Sequence, residues 1–334
     1  PSMNLIFGMI LVLLAGVSTL FGKDAEIVVT PLDLPAKGKT GFQLLTPQST
    51  GLSPKSKYVP LKNVPIRETG NSGLAVGDVN GDGLVDLYVC GMESANALYI
   101  NKGNWKFEDQ TEAAGVACRG WRLSGAIFAD VDGDGDLDLA LTSLLDGRNF
   151  MYLNDGQGRF TDVTGSLGED RFSFGMSHAL ADFDRDGHLD LYMTGMGSTT
   201  ARRLNGLGLG RRGFEGIQKA RMKMGYGNRL LLGRGDGMFA QAAYNDRVAR
   251  TGWAWGCTPW DFDNDGDRDL YVANGFLSAK SAKDYCTDYW RHDIYYKERK
   301  SERLMQMVFD KCHSGLGSEI SWNGFEHNVL LMNT

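Results

Sequence analysis

The stretch Ala129–Leu141, ADVDGDGDLDLAL, places five aspartates in thirteen residues and then becomes apolar. Carboxylates at this spacing repel one another unless a cation lies between them. A disordered acidic tract avoids the repulsion by staying extended, but the alternating leucines after the aspartates predict a β-strand. The stretch therefore indicates a compact acidic loop that leads directly into a strand.

The same motif occurs four times, with the pattern Asp-x-(Asp/Asn)-x-Asp-Gly-x-x-Asp-Leu. We number its first nine residues as positions 1 to 9 and call the four copies loops 1 to 4. The loops comprise residues 78–86, 130–138, 182–190 and 261–269. Four copies with the same residue pattern are typical of a repeat protein, whereas an isolated acidic turn would occur once.

A second element follows each loop and predicts a β-hairpin around a glycine-bearing turn. Its copies are Tyr99–Asp109, Tyr152–Asp162 and Leu231–Gln241, and His327–Asn333 has the character of the opening of a fourth. Successive loops 1, 2 and 3 begin 52 residues apart, and longer chain is inserted at one point only, between a loop and its hairpin. A unit of this length with several short strands predicts a four-stranded propeller blade.

The fold class is therefore expected to be all-β, a β-propeller of four-stranded blades with a small α-containing insertion. Residues 71–334 are expected to form the repeats, interrupted by insertions at 197–226 and 276–326, and residues 23–70 a leader with the first strands. Small residues five positions before each loop suit strands crowded near the propeller axis. These residues are Gly73, Gly125, Ser177 and Gly256.

Alternating oxygen ligands with a glycine for a sharp turn are the requirement of a Ca²⁺ loop, so about four ions are predicted. Positions 1, 3, 5 and 9 are expected to supply side-chain oxygens, and fifteen of these sixteen residues are aspartate. The predicted side-chain ligands are Asp78, Asn80, Asp82, Asp86, Asp130, Asp132, Asp134, Asp138, Asp182, Asp184, Asp186, Asp190, Asp261, Asp263, Asp265 and Asp269. Position 7 is expected to offer its backbone carbonyl, from Leu84, Asp136, His188 and Asp267.

Three other interpretations of the loops fit the sequence less well. An EF-hand needs a glutamate at position 12, where these loops have Val89, Leu141, Met193 and Val272. A Mg²⁺ site keeps more water and uses fewer carboxylates. Aspartate and glycine are also simply good turn formers, but four turns in register make that explanation a poor one.

The N-terminus carries a mostly apolar run from Leu5 to Phe21. Residues 1–22 are expected to be either a signal peptide or a retained N-terminal anchor, although no Lys or Arg precedes the run. Either interpretation exports the rest of the chain, so a secreted, periplasmic or cell-surface location is expected, with membrane contact only through the anchor. Five cysteines fit an oxidising compartment, and Cys286 with Cys312 is the most plausible pair.

The net charge of −6 argues against a nucleic-acid partner. Insertion 197–226 contains seven basic residues and one acid, and either receives an acidic glycan, phosphate or protein or lies as a solvated loop over the acidic calcium edge. Insertion 276–326 is rich in aromatic residues and is expected to include a helix at 297–309. Its aromatic residues either form a glycan- or protein-binding platform or pack the insertion onto its host.

Known catalytic motifs are missing from the sequence: it has no G-x-S-x-G elbow, H-E-x-x-H helix, P-loop or dinucleotide fingerprint. The expected function is an extracellular calcium-binding module for adhesion, ligand binding or scaffolding, and not an enzyme. Because some propellers are lyases or glycoside hydrolases, an enzyme acting on polysaccharide is the alternative.

The acidic loops resemble the calcium-binding repeats of the FG-GAP/VCBS class, as found in integrin α-chain propellers. The longer phrases SGLAVGDVNGDGLVDLYVCG, SGAIFADVDGDGDLDLALTSL and GWAWGCTPWDFDNDGDRDLYVANG resemble the secreted ASPIC/UnbV family, the cartilage acidic protein-like proteins. The resemblance implies a Ca²⁺-loaded propeller, usually of seven blades, followed by a C-terminal ASPIC/UnbV domain. The present sequence has too few repeats for seven blades and lacks that domain, so a partial propeller is expected.

Overall fold

A computed structural model describes residues 44–53, 73–91, 95–143, 147–171, 175–210, 213, 215–275 and 327–334. The described residues from Leu45 onward form one compact unit. Its strands form four antiparallel sheets, three with four strands and one with three, each in simple sequence order. The predicted all-β architecture of blade-like sheets is therefore confirmed.

We call the sheets blades 1 to 4. Blade 1 contains β1 (Leu74–Gly77), β2 (Asp86–Val89), β3 (Ala97–Asn101) and β4 (Phe107–Asp109). Blade 2 contains β5 (Gly125–Ala129), β6 (Asp138–Thr142), β7 (Phe150–Asn154) and β8 (Phe160–Asp162). Blade 3 contains β9 (His178–Ala181), β10 (Asp190–Met193), β11 (Arg229–Gly233) and β12 (Phe239–Gln241). Blade 4 contains β13 (Ala254–Trp260), β14 (Asp269–Asn274) and β15 (Val329–Leu331).

The helices are few and short. They are α1 (Pro47–Thr50), α2 (Thr199–Gly206), α3 (Glu215–Gly225) and α4 (Asn245–Val248), with a 3-10 segment at Thr164–Arg171. Among the residues that the structure describes, no helix combines the length and the apolar character needed to cross a bilayer.

The core lies between the blades, because alternate residues of each second strand point to opposite faces of the sheet. In β6, Leu139 and Leu141 pack toward blade 1, whereas Ala140 packs toward blade 3. In β10, Leu191 packs toward blade 2, whereas Tyr192 packs toward blade 4. Blades 2 and 3 thus have both faces buried.

Blades 1 and 4 have only one face buried in the described part of the chain. On blade 1, Leu74 and Val76 are each 55% exposed, and on blade 4 Trp260 is 62% exposed. These outer faces have the apolar composition of a face between two blades.

The first strands of neighbouring blades approach closely at the small residues that the sequence places there. A Cβ atom on Gly73 would lie 2.6 Å from the Cα of Gly125, closer than real contacts allow. A Cβ on Gly125 would in turn lie 3.2 Å from Nδ1 of His178, the first residue of β9. Gly256 in β13 meets nothing within 4 Å. The crowding expected near the axis is therefore real at Gly73 and Gly125 but not at Gly256.

Candidate metal centres in four loops

Each acidic loop joins the first and second strands of its blade and is wound tightly by its own carboxylates. The position 1 aspartate accepts a hydrogen bond from the N–H of the position 6 glycine at 2.7–3.1 Å in all four loops. The position 7 N–H donates to Oδ1 of the position 5 aspartate at 2.9–3.1 Å. The winding brings alternate side chains to one side of the loop, as the sequence pattern requires.

Two positions in each loop adopt the left-handed backbone conformation. Position 6 is glycine in every loop, with φ between +80° and +96°. Position 4 is also left-handed and is occupied by Gly81, Gly133, Arg185 and Asn264, with φ between +62° and +80°. Glycine accepts this conformation without the steric cost that arginine meets, so Arg185 is the unusual residue of this set.

The aspartate at position 9 begins the second strand of its blade and is at most 1% exposed in every loop. Its Oδ2 accepts the position 2 N–H at 2.8–3.0 Å. Its Oδ1 accepts the N–H of the hairpin residue at the end of the third strand, at 2.7–2.9 Å. Those hairpin residues are Asn101, Asn154, Gly233 and Asn333. One carboxylate therefore fastens the loop to its blade.

Burial raises the pKa of the position 9 aspartate in loops 1, 2 and 3. The pKa of Asp138 is raised to about 6 and that of Asp190 to about 6, in both cases chiefly by desolvation and further by neighbouring loop carboxylates. The pKa of Asp86 is raised for the same main reason. The backbone N–H donors act in the opposite direction and do not offset the burial.

The side chains predicted as ligands converge in three loops. One carboxylate oxygen from each of three residues lies within 4.8 Å of the other two in loops 2, 3 and 4. The converging groups are Asp130, Asp132 and Asp138; Asp182, Asp184 and Asp190; and Asp261, Asp263 and Asp265. In loop 1, the amide oxygen of Asn80 accepts the N–H of Asp82 at 3.1 Å, and its Nδ2 lies 3.2 Å from Oδ2 of Asp82.

The donor chemistry fits calcium. Every donor in the three groups is a carboxylate oxygen, the ligand type of Ca²⁺ and Mg²⁺, whereas Zn²⁺ favours histidine nitrogen and cysteine sulfur. Each loop also offers several carboxylates, which suits the high and variable coordination number of Ca²⁺ better than the strict octahedron of Mg²⁺.

In loops 2 and 3 the position 7 side chain lies against the hairpin turn of the same blade. A Cβ on Gly156 would lie 2.4 Å from Oδ2 of Asp136, and a Cβ on Gly235 would lie 2.3 Å from the His188 ring. Glycine in the hairpin thus makes room for a variable side chain. That the position 7 carbonyls bind the cation stays a prediction.

Two features of these centres were not foreseen from the sequence. The sequence pattern assigns no contact to the hairpin asparagines, yet Asn154 Nδ2 donates to the backbone oxygen of Val79 in blade 1 at 2.8 Å. Asn333 Nδ2 likewise donates to Phe183 of blade 3 at 2.7 Å. The recurring asparagine was the available signal. The second feature is Arg185, whose guanidinium reaches from loop 3 to loop 4.

The basic insertion 197–226 is a helical hairpin, which the sequence analysis did not predict. The side chain of Ser198 caps α2 by accepting the Ala201 N–H at 3.0 Å, and Gly197 pairs with Tyr226 at the base. Arg221 is only 2% exposed and donates to the Leu209 carbonyl at 2.8 Å, so it is part of the packing rather than of a charged surface.

The idea that this insertion covers the acidic loops is wrong. It connects β10 to β11, whereas loop 3 connects β9 to β10. In an antiparallel sheet these two connections lie at opposite ends of β10. The insertion therefore projects from the face opposite to the metal loops.

Several predictions concern residues outside the described part of the chain. These are the signal or anchor at 1–22, most of the leader, the insertion 276–326 with its helix and aromatic platform, and the Cys286–Cys312 pair. Cys90, Cys118 and Cys257 are free thiols. Burial raises the pKa of Cys90 and of Cys257 to about 12.

Residues 78–141 and 141–193, which include loops 1 to 3, match the family model described as FG-GAP-like repeat. Among curated proteins the chain is similar to cartilage acidic protein 1 of Homo sapiens, with 25% identity over 222 residues, 64% of this chain and 29% of that protein. The Mus musculus protein of the same name is 26% identical over 220 residues, 64% of this chain and 30% of that protein. The chain thus spans less than a third of the length of these relatives.

Two solved structures show distant similarity. One is a lectin of Agrocybe aegerita, described for its specific recognition of non-reducing terminal N-acetylglucosamine, with a TM-score of 0.37, 21% identity, and coverage of 61% of this chain and 49% of that chain. The other is the V. cholerae biofilm matrix protein Bap1, with a TM-score of 0.31, 16% identity, and coverage of 66% of this chain and 36% of that chain.

Proposed function

We propose that this protein is an exported, calcium-binding propeller-type module that binds an extracellular protein or glycan. The observation that carries the calcium proposal is a repeated arrangement: a buried aspartate fastens each of four loops, and three carboxylates converge in loops 2, 3 and 4. The similarity to cartilage acidic protein 1 and the FG-GAP-like repeats support an extracellular setting.

In this proposal, positions 1, 3, 5 and 9 hold the ion, and the bound Ca²⁺ neutralises carboxylates that otherwise repel one another. The position 9 aspartate has a further task, because it ties the loop to the third strand. Calcium would thereby stiffen the end of each blade at which the loop and the hairpin meet.

Ligand recognition is assigned to the opposite face, where the helical insertion projects. Its exposed cations Arg203, Lys219 and Lys223 favour an acidic ligand, and the sequence has one acid, Glu215, within the insertion. The connection between the helices also exposes Leu207 (68%) and Leu209 (43%), which adds apolar contact area beside the charges.

The calcium part is tested by isothermal titration of chelator-treated protein. Binding of about four Ca²⁺ ions, with Mg²⁺ a poor competitor, is expected. Protein that binds no Ca²⁺ at millimolar concentration would contradict the proposal.

The ligand part is tested on glycan and extracellular-protein arrays, with Ca²⁺ and with chelator, while released sugar is assayed. Charge reversal of Arg203, Lys219 and Lys223 is expected to abolish retention. The matched control reverses Lys102, Arg159 and Arg234, three exposed cations on the hairpins of the metal face. Equal loss in both triple variants would contradict the assigned face, and released sugar would favour an enzyme.

A further inference from the structure

A positively charged side chain of loop 3 contacts the carboxylates of loop 4. Arg185, at position 4 of loop 3, places Nη2 3.0 Å from Oδ2 of Asp267 and 3.8 Å from Oδ1 of Asp265 in loop 4. At the same position, loops 1 and 2 have glycine and loop 4 has Asn264. Loop 3 is thus the one copy of the four whose position 4 carries a positive charge.

The acceptor, Asp267, is unusual for an acidic loop near the surface. Its side chain is 3% exposed, and its Oδ1 has no hydrogen-bond partner among the described residues. A buried carboxylate is costly unless it is paired with a cation. Arg185 supplies one such pairing, through Oδ2.

The backbone of Arg185 points to the same contact. Its φ of +63° belongs to the left-handed region, which loops 1 and 2 occupy with Gly81 and Gly133. An arginine held in this conformation carries a steric cost that its neighbours avoid. The ion pair across the two loops is the contact in the structure that offsets this cost.

We infer that Arg185 is a built-in counter-ion of loop 4. Without calcium, it neutralises part of the charge of Asp265 and Asp267 and keeps loop 4 closed. With calcium, the same positive charge opposes the incoming ion, so loop 4 binds Ca²⁺ more weakly than loops 1 to 3. The inference rests on the proposed calcium function and adds an order of filling to it, with loop 4 last.

The test replaces Arg185 with glycine, which suits the backbone conformation and is native at this position in loops 1 and 2. Removal of a unit charge so close to the ion is expected to raise the cation affinity of loop 4 about five- to tenfold. At the same time the melting temperature in chelator should fall, because the counter-ion is lost. A merely structural brace would instead lower both quantities.

Loop 4 is read separately through terbium luminescence sensitised by Trp260, which directly precedes Asp261. A W260F variant identifies the part of the signal that belongs to loop 4. Arg119→Gly is the matched control, since Arg119 is an exposed arginine paired with Glu112 outside the four loops. Arg185→Gln removes the charge and keeps the side-chain length in case the glycine variant folds poorly.

The outcomes separate the two proposals. Wild type that binds neither Ca²⁺ nor Tb³⁺ would overturn the proposed function, and this inference with it. Wild type that binds about four ions, with unchanged or weaker loop 4 affinity in R185G and R185Q, would overturn the inference alone. Stronger loop 4 binding together with a lower melting temperature in chelator supports it.

Discussion

The aspartate at position 9 combines two roles that the sequence pattern does not separate. It is a predicted ligand, and it also accepts two backbone hydrogen bonds while it is almost completely buried. The position 5 aspartate is also a predicted ligand, but it is exposed and accepts only the local position 7 N–H of its own loop. The two positions should therefore respond differently to the same isosteric change.

Asp138→Asn is expected to lower the free energy of unfolding by roughly 1–3 kcal/mol even in chelator. The new side-chain NH₂ group would face the N–H of either Val131 or Asn154, and that buried N–H would lose its acceptor. Asp134→Asn is the matched control: it should weaken calcium binding and leave the unfolding free energy in chelator nearly unchanged. Urea unfolding of both variants, with Ca²⁺ and with chelator, measures the difference. Equal stability in chelator would show that Asp138 is a ligand only.

His178 provides a pH dependence of stability that is separate from the metal loops. It is buried on β9, its Nε2 lies 2.9 Å from the carbonyl oxygen of Ala140, and burial lowers its pKa from 6.5 to about 4. The unfolded chain therefore binds a proton below pH 6.5 that the folded chain binds only near pH 4. Stability from this residue is complete above pH 6.5 and is lost as the pH falls toward 4.

Between pH 7 and pH 5 the loss is about 2 kcal/mol. His178→Gln should remove this part of the slope, so the difference between the two proteins should grow as the solution is acidified, with the aspartates cancelling. Urea unfolding at pH 7, 6 and 5 measures it. Parallel pH profiles of the two proteins would contradict the assignment.

At the scale of one loop, the proposed calcium site predicts that protons and calcium compete for the same carboxylates. Asp138 and Asp190 have a pKa of about 6 in the metal-free fold, above the value of an exposed aspartate. Their protonation therefore stabilises the metal-free protein as the pH falls through 6. Calcium must displace these protons, so its affinity should fall over the same range.

The calcium-induced rise in melting temperature is accordingly expected to shrink between pH 7.5 and pH 5.5. Titration calorimetry in two buffers of different ionisation enthalpy should detect proton release at pH 6 and little at pH 7.5. The same buffer-independent heat at both pH values would show that the aspartates are already ionised before calcium arrives.

At the scale of neighbouring blades, the side chain of Asn154 connects blade 2 to blade 1 by a hydrogen bond. Asn154 Nδ2 donates to Val79 of blade 1 and to Leu137 of its own blade, whereas Asn101 Nδ2 donates to Val85 within its own blade. Asn154→Ala is expected to cost roughly 1–3 kcal/mol of unfolding free energy, because the buried carbonyl of Val79 loses its donor. Asn101→Ala, the control, should cost less. Urea unfolding that ranks the two variants equally would count against the inter-blade role.

The fold was largely readable from the sequence because the relevant signals are local. Each signal lies within about ten residues: the acidic loop motif, the glycine turn of the hairpin and the alternating leucines. The order of the blades and the positions of the hairpins therefore followed from the distances between these motifs along the chain. The contacts of Arg185 with loop 4 and of Asn154 with blade 1 depend on distances between blades, which no local pattern encodes. The helical hairpin was not predicted, because the many basic residues of the insertion indicated an exposed loop. The capping role of Ser198 and the burial of Arg221 are visible only in the folded structure.

For the whole molecule, the proposed function predicts that bound calcium supplies a large part of the stability. Each occupied site adds about 2.7 kcal/mol at a hundredfold excess of calcium over its Kd. Chelation is therefore expected to lower the melting temperature by at least about 5 °C. Scanning calorimetry with Ca²⁺, with chelator and with Mg²⁺ measures it. Superimposable curves with and without calcium would contradict four occupied loops.

The placement of the insertion has a consequence for how the molecule meets a partner. Because carboxylates gather at one end of blade 3 and cations at the other, this part of the protein carries a permanent electric dipole. An anionic surface would turn the molecule before any contact forms, presenting the helices first. Bound calcium would reduce the negative charge at the loop end of the blade and so weaken this dipole. The metal ion would therefore change the rate of reorientation although it binds far from the helices.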